Sequence, residues 1–289
     1  MDSVKSTRRV WRGVLVRDGR AALVLGAAAA IALAAVGVRG AETPVAPAEG
    51  AKKAVHPNPR GMESLAKKDP MQFLRTALEW ADATIADYTC QFEKQERIGD
   101  TLRKAETMQM KFRASTFSVY LKWTEKPSKG QQVLYVDGAY DSKAVVHPSG
   151  LLGVLFRKVS LDPAGSTAMK HSRGPITAAG MANMLRQIIP VCEKAQKNED
   201  LQLTYEGIRE QNGRPTYVFK RVLPNRNDYP CSVLIIYIDK EYLACVRTDA
   251  CDWNGDLIGQ YIYSNFVINP SLTDKDFDAA NTEYGFSSF

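Results

Sequence analysis

Histidine is nearly missing from this 289-residue chain, at three residues, and cysteine is sparse, at five. His56 falls in a stretch rich in Ala, Pro and Lys, His147 precedes a proline and His171 sits in a basic loop, so no metal centre built on histidine is expected. There is no G-x-S-x-G, H-E-x-x-H, P-loop, C-x-x-C or G-x-G-x-x-G after a strand, which excludes the usual hydrolase, metalloprotease, nucleotide-binding and dithiol designs. No cofactor and no catalysis are expected. The enzyme reading that survives uses His147 or His171 as a general base with an unrecognised nucleophile; the plainer reading makes both turn and surface residues. Asp252, Asn254 and Asp256 alternate as calcium ligands do, but Gly255 arrives two places early, and Tyr263 stands where the loop requires a bidentate Glu.

A basic surface is also absent once the first forty residues are set aside. They hold seven Lys or Arg against two Asp, nearly the whole net charge of +6, so no nucleic-acid partner is expected. Arg8, Arg9, Arg12, Arg17 and Arg20 precede an apolar run from Ala21 to Val38, and Val38 with Gly40 offers small residues to a signal peptidase. Residues 1–40 therefore read as a signal peptide, periplasmic or extracellular in destination. An uncleaved anchor is the alternative, since about 20 apolar residues span a bilayer. The pair Arg8-Arg9 resembles a twin-arginine signal. Residues 41–68 read as a flexible linker and 69–289 as one domain.

What the domain does contain is turn chemistry. Gly99-Asp100-Thr101, Asp137-Gly138, Asn212-Gly213 and Asn254-Gly255 each separate two strand-like runs, as hairpin turns would. In the first hairpin, a three-residue loop sets Phe92 opposite Met108, Cys90 opposite Met110, Tyr88 opposite Phe112, Lys94 opposite Glu106, Glu96 opposite Lys104 and Ile98 opposite Leu102. Strands are predicted near 88–98, 102–113, 116–124, 131–136, 139–147, 201–211, 214–223, 231–239, 243–253 and 256–267. One helix starts at Asp69-Pro70 with Phe73, Leu74, Ala77, Leu78, Ala81 and Ile85 on a face. A second starts near Thr177, carries Met181, Met184, Leu185, Ile188 and Ile189, and is expected to kink or end at Pro190. The fold class is mainly β with α+β character: a curved antiparallel sheet or open barrel of about ten strands wrapped around two main helices.

Three groups of residues are candidates for function. Met108, Met110, Phe112, Phe117, Val119, Leu121 and Trp123 form an apolar face that reads as a ligand-binding surface or as core. Leu155, Phe156, Arg157 and Lys158, with Arg173 further on, read as a lid or a lipid-headgroup contact, or as a buried run. The odd number of cysteines leaves at least one unpaired, with Cys231–Cys251 the first disulfide candidate and Cys90–Cys192 a weaker one; the alternative is that all are small buried residues.

Tyr88-Thr89-Cys90-Gln91-Phe92 with Lys94 and Glu96-Arg97, Met110-Lys111-Phe112-Arg113 with Phe117-Ser118-Val119-Tyr120, His147-Pro148-Ser149-Gly150, Pro175-Ile176-Thr177 with Gly180, and Tyr284-Gly285-Phe286 resemble a bacterial family of secreted proteins known only as a domain of unknown function. The resemblance spans roughly residues 70–286. More remotely, the order of elements is similar to the periplasmic lipoprotein carriers (LolA-like open β-barrels) and to related envelope-stress regulators. That resemblance implies an extracytoplasmic binding protein for an apolar or acylated ligand, with lipid, an acylated protein or an envelope protein as partner. Carriage of lipoprotein or lipid follows from the same likeness, and contact with a membrane surface from the apolar run beside Arg157 and Lys158. The alternative is an envelope sensor or interaction module with a closed core.

Overall fold

The computed structural model describes residues 58–286. The expected signal peptide (residues 1–40) and residues 41–57 of the expected linker lie outside them. The rest of that linker is not one: residues Pro59–Lys68 form helix α1, which buries Met62 and Ala66. Helix α2 (Pro70–Thr84) follows at once, with Asp69 accepting a hydrogen bond from the Gln72 N–H at 2.9 Å and Pro70 in the first turn. Its buried face is Met71, Phe73, Leu74, Ala77 and Ala81.

Strands β1 (Asp87–Ile98), β2 (Thr101–Leu102), β3 (Glu106–Arg113), β4 (Ser118–Trp123), β5 (Gln132–Val136) and β6 (Ala144–His147) come next. After helix α3 (Gly150–Leu155), strand β7 (Val159–Leu161), helix α4 (Ser166–Met169) and helix α5 (Met181–Lys197) come β8 (Gln202–Gln211), β9 (Arg214–Val222), β10 (Val233–Asp239), β11 (Cys245–Cys251) and β12 (Leu257–Ile268). The described strands make one twelve-stranded sheet in the order β7-β6-β5-β4-β3-β1-β12-β11-β10-β9-β8, every described pairing antiparallel, with β2 attached to β1. The sheet is open, with β7 and β8 at its two edges.

That order dictates what fills the sheet. Strands β7 and β8 are neighbours in sequence but sit at opposite edges, so the connection between them must cross the sheet. It crosses on the inner face, where α5 buries Met181, Met184, Leu185, Ile188 and Cys192 in one core with α2 and the strands. The outer face of the other wing is covered by the C-terminal segment: Tyr284 stacks on Tyr120 at 4.1 Å, and Phe277 and Phe286 join Leu134 and Val145.

The inner register of the first hairpin is as the alternation predicts, with Phe92 opposite Met108, Cys90 opposite Met110, Tyr88 opposite Phe112 and Lys94 opposite Glu106. The tip differs. Ile98 pairs with Thr101 and Arg97 with Leu102 around a two-residue turn in which Gly99 has φ +57°. Residues 103–105 then take up the one-residue offset, so Glu96 bonds the Arg103 N–H through its backbone instead of facing Lys104. Asn212 and Gly213 do form a two-residue turn, both with positive φ. Asp137-Gly138 instead opens a seven-residue connection, and β6 begins only at Ala144. Thr177 lies in a short 3-10 turn, α5 starts at Met181, and Pro190 sits inside that helix without ending it.

The cysteine expectation needs the largest correction. All five cysteines are free, and Cys251 lies opposite Val233, two residues away from the expected partner. The offset arises at the β10–β11 end, where the register shifts between Tyr237 and Ile238 and the loop closes through Asp239 and Ala244 rather than around residues 240–242 alone. Cys231 belongs to the inner core, whereas strand alternation puts Cys251 on the face of Arg247 and Asp249.

Candidate binding face and its charged end

The seven apolar candidates share the inner face, and the structure brings them together. Met108, Val119 and Leu121 are 0 % exposed, Met110, Phe112 and Trp123 no more than 5 %, and Phe117 is half-buried against the same core. This face is packed against the protein's own helices and strands. The filling is specific at the start of α5. The phenol oxygens of Tyr263 and Tyr88 accept the N–H groups of Gly180 and Met181 at 3.2 and 3.1 Å, satisfying donors that a helix start leaves open. Burial pushes both phenols well above their ordinary pKa, so both remain protonated. Gly180 has φ +122°, and a Cβ there would meet the Phe112 ring at 2.6 Å.

Toward the C-terminal end of β1 the same inward row changes from apolar to charged. Lys94 and Glu96 pair at 3.0 Å with side chains only 2 % and 4 % exposed, and Lys94 also reaches Glu106 at 3.4 Å. Glu96 accepts the Tyr261 hydroxyl at 2.7 Å and the Arg173 N–H at 3.3 Å, while Glu106 accepts the Trp123 indole N–H at 3.2 Å. Burial first, and then the Glu96 charge, raise the Tyr261 pKa well above normal. His171 is lowered, by burial and then by Lys170 and Arg103, which suits a neutral imidazole more than a proton carrier at neutral pH. A buried ion pair survives only when its remaining lone pairs are satisfied, and here they are shared among Lys, Tyr, Trp and backbone. This cluster was missed from sequence because Lys94 and Glu96 read as cross-strand partners. The signal was present: both keep the even-numbered parity of Tyr88, Cys90 and Phe92.

The lid candidates separate. Arg173 belongs to the charged end just described. Leu155 ends α3 and Phe156 follows it in extended backbone, and this segment stands out from the body with Leu151 76 %, Val154 75 %, Leu155 65 % and Phe156 43 % exposed. Arg157 and Lys158 follow, also exposed. The projection has a fixed base. His147 Nδ1 lies 2.9 Å from the Arg157 carbonyl oxygen, and Gly153 and Gly285 leave room against Pro148 and His147 that a side chain would fill. His147 thus ties down the base of this loop. His56 lies outside the described residues. Asp252 accepts the Asn254 and Asp256 N–H groups at 2.9 Å, the work of a hairpin loop.

Fold and site together define an open antiparallel-sheet protein whose inner face is filled by its own crossing helix and whose apolar projection faces outward. The chain belongs to the DUF1571 family of proteins of unknown function, whose pattern matches residues 85–286. Among solved structures it is similar to the MucA/MucB complex of Pseudomonas aeruginosa (11 % identity, TM-score 0.42, covering 72 % of this chain and 60 % of that one). It is also similar to the Mycobacterium tuberculosis lipoprotein LppX (14 %, 0.40, 73 % and 100 %) and to a LolA superfamily protein of Nitrosomonas europaea (11 %, 0.31, 71 % and 97 %). No curated protein matches.

Proposed function

We propose that this is an exported, non-catalytic binding protein that engages an apolar or acylated surface through the Leu151–Phe156 projection, with Arg157 and Lys158 beside it for anionic headgroups. The observation that carries the reading is the exposure of four large apolar side chains, three on one short helix and Phe156 directly after it, next to two cations, in a molecule that buries its other apolar rows. Burying one such side chain is worth roughly 1.5–3 kcal/mol, so four suffice for reversible attachment. Export is supported by the arginine-rich start and the apolar run from Ala21 to Val38. Carriage of an acyl chain along the inner face is the finer form of the proposal, and it requires α5 to lift away from Phe112.

The sealed inner face supports a second reading, an envelope interaction or sensor module in which the projection docks on a protein. Flotation with vesicles of phosphatidylcholine and phosphatidylglycerol separates the two. The first reading expects the wild-type chain to float and the double variant Leu151→Asp, Leu155→Asp to stay in the dense fraction. Equal flotation of both, or of neither, removes the membrane-facing role of the projection.

A further inference from the structure

The strand registers gather the end of β1, the start of β3, the end of β4, the start of β5, the end of β6 and the start of β7 at one rim of the sheet. On this wing the rim is built from residues 99–105, 124–131 and 148–158, and the Arg173 N–H on Glu96 brings residues 170–173 to the same end. Together these segments carry eight Lys or Arg against two acids, Asp100 and Glu125. The segments of the other wing at that rim, residues 198–201, 223–232 and 252–256, carry five acids against Arg226 alone. One rim is thus basic on the wing of β1 to β7 and acidic on the wing of β8 to β12.

Apolar exposure follows the basic half. Among the described residues, five of the seven exposed large apolar side chains stand on it, Leu102 in β2 and Leu151, Val154, Leu155 and Phe156 on the projection. Strand β2 leads into β3, three strand spacings from β6, so the two groups lie roughly 14 Å apart along the sheet at about 4.8 Å per strand, close enough for one surface to meet both. Around them Arg103, Lys104, Lys126 and Lys129 are exposed and take part in none of the ion pairs among the described residues. Apolar tips ringed by cations fit a partner that is apolar beneath an anionic surface.

We propose that this basic half-rim is the face by which the protein docks on a bilayer containing anionic phospholipid. The inference rests on the membrane reading of the projection and adds the headgroup class and the orientation. Leu102 and the projection enter the headgroup region, Arg103, Lys104, Lys126 and Lys129 lie against the lipid phosphates, and the acidic wing is turned away by repulsion from the same surface. Cations spread over separate segments suit a fluid lipid surface, whose charges move to meet them. A zwitterionic bilayer offers the apolar residues the same burial but no net charge, so the cations make the discrimination. Each Lys or Arg at an anionic surface is worth roughly a five-fold gain in partitioning, and salt screens it.

The test measures partitioning of the exported chain onto vesicles of phosphatidylcholine with and without phosphatidylglycerol, for the wild type and for the double variant Lys126→Gln, Lys129→Gln. Both lysines are exposed, and an unchanged melting temperature shows that the variant is folded. The wild type is expected to bind the mixed vesicles more tightly than phosphatidylcholine alone and to lose that gain in high salt. The double variant is expected to bind the mixed vesicles roughly 20–30-fold more weakly and phosphatidylcholine as the wild type does. Equal wild-type binding to both vesicles, or a double variant that matches the wild type on mixed vesicles, overturns the anionic face; the projection reading then still stands if Leu151→Asp with Leu155→Asp abolishes the binding. Wild-type binding to neither vesicle removes the projection reading and this inference with it.

Discussion

Gly180 is where a single atom decides most. Its φ of +122° and the Phe112 ring 2.6 Å from a would-be Cβ combine backbone strain with overpacking. Gly180→Ala is expected to lower the unfolding free energy by about 3 kcal/mol, read as a shift in the urea midpoint. Asp276 tests electrostatics. Burial pushes its carboxyl up, but the Lys111 ammonium at 2.7 Å and the Thr273 N–H more than offset this and leave it below the ordinary value. A group lowered in the folded state contributes stability fully above its unfolded pKa, near 4, and loses it as pH falls through the folded value. Near-ultraviolet circular dichroism of the Tyr120–Tyr284 stack should therefore weaken below about pH 4, with a flatter acid limb in Asp276→Asn. A profile identical in the two proteins would count against the Lys111–Asp276 tie.

Among the elements, α5 carries the argument, because the inner face is closed only while its start is held. Tyr88→Phe removes one acceptor and leaves the Met181 N–H buried without a partner, at a cost of about 1–3 kcal/mol. Hydrogen exchange at that amide should accelerate in the variant; unchanged protection would mean the phenol is not the anchor. The apolar face of this helix was legible as Met181, Met184, Leu185, Ile188 and Ile189 at helical spacing. Its reach past Pro190 was not, since tertiary packing on the sheet holds the helix across a missing N–H. The first hairpin shows the same division. Side-chain alternation set its inner register, while the offset at residues 103–105 has no signature in polarity. Helix α1 was hidden because Met62 and Ala66 are too few to make a periodic pattern, though they suffice to dock ten residues.

For the whole molecule, an antiparallel sheet with an interposed helical segment could be read from turn dipeptides and alternation. Strand order could not, and strand order is what closes the inner face, because only the separation of β7 from β8 forces α5 across it. The apolar face was therefore visible as residues but not as filled. The apolar run after His147 was visible too, and of its readings burial is the one the structure overturns, since no described element covers α3. Hydrogen–deuterium exchange with and without anionic vesicles addresses directly whether binding happens outside a shut sheet. Protection is expected to appear over residues 150–158 while β3 and β4 stay as slow as in the free chain. Protection changes confined to β3, β4 and α5, with the projection unaffected, would contradict it.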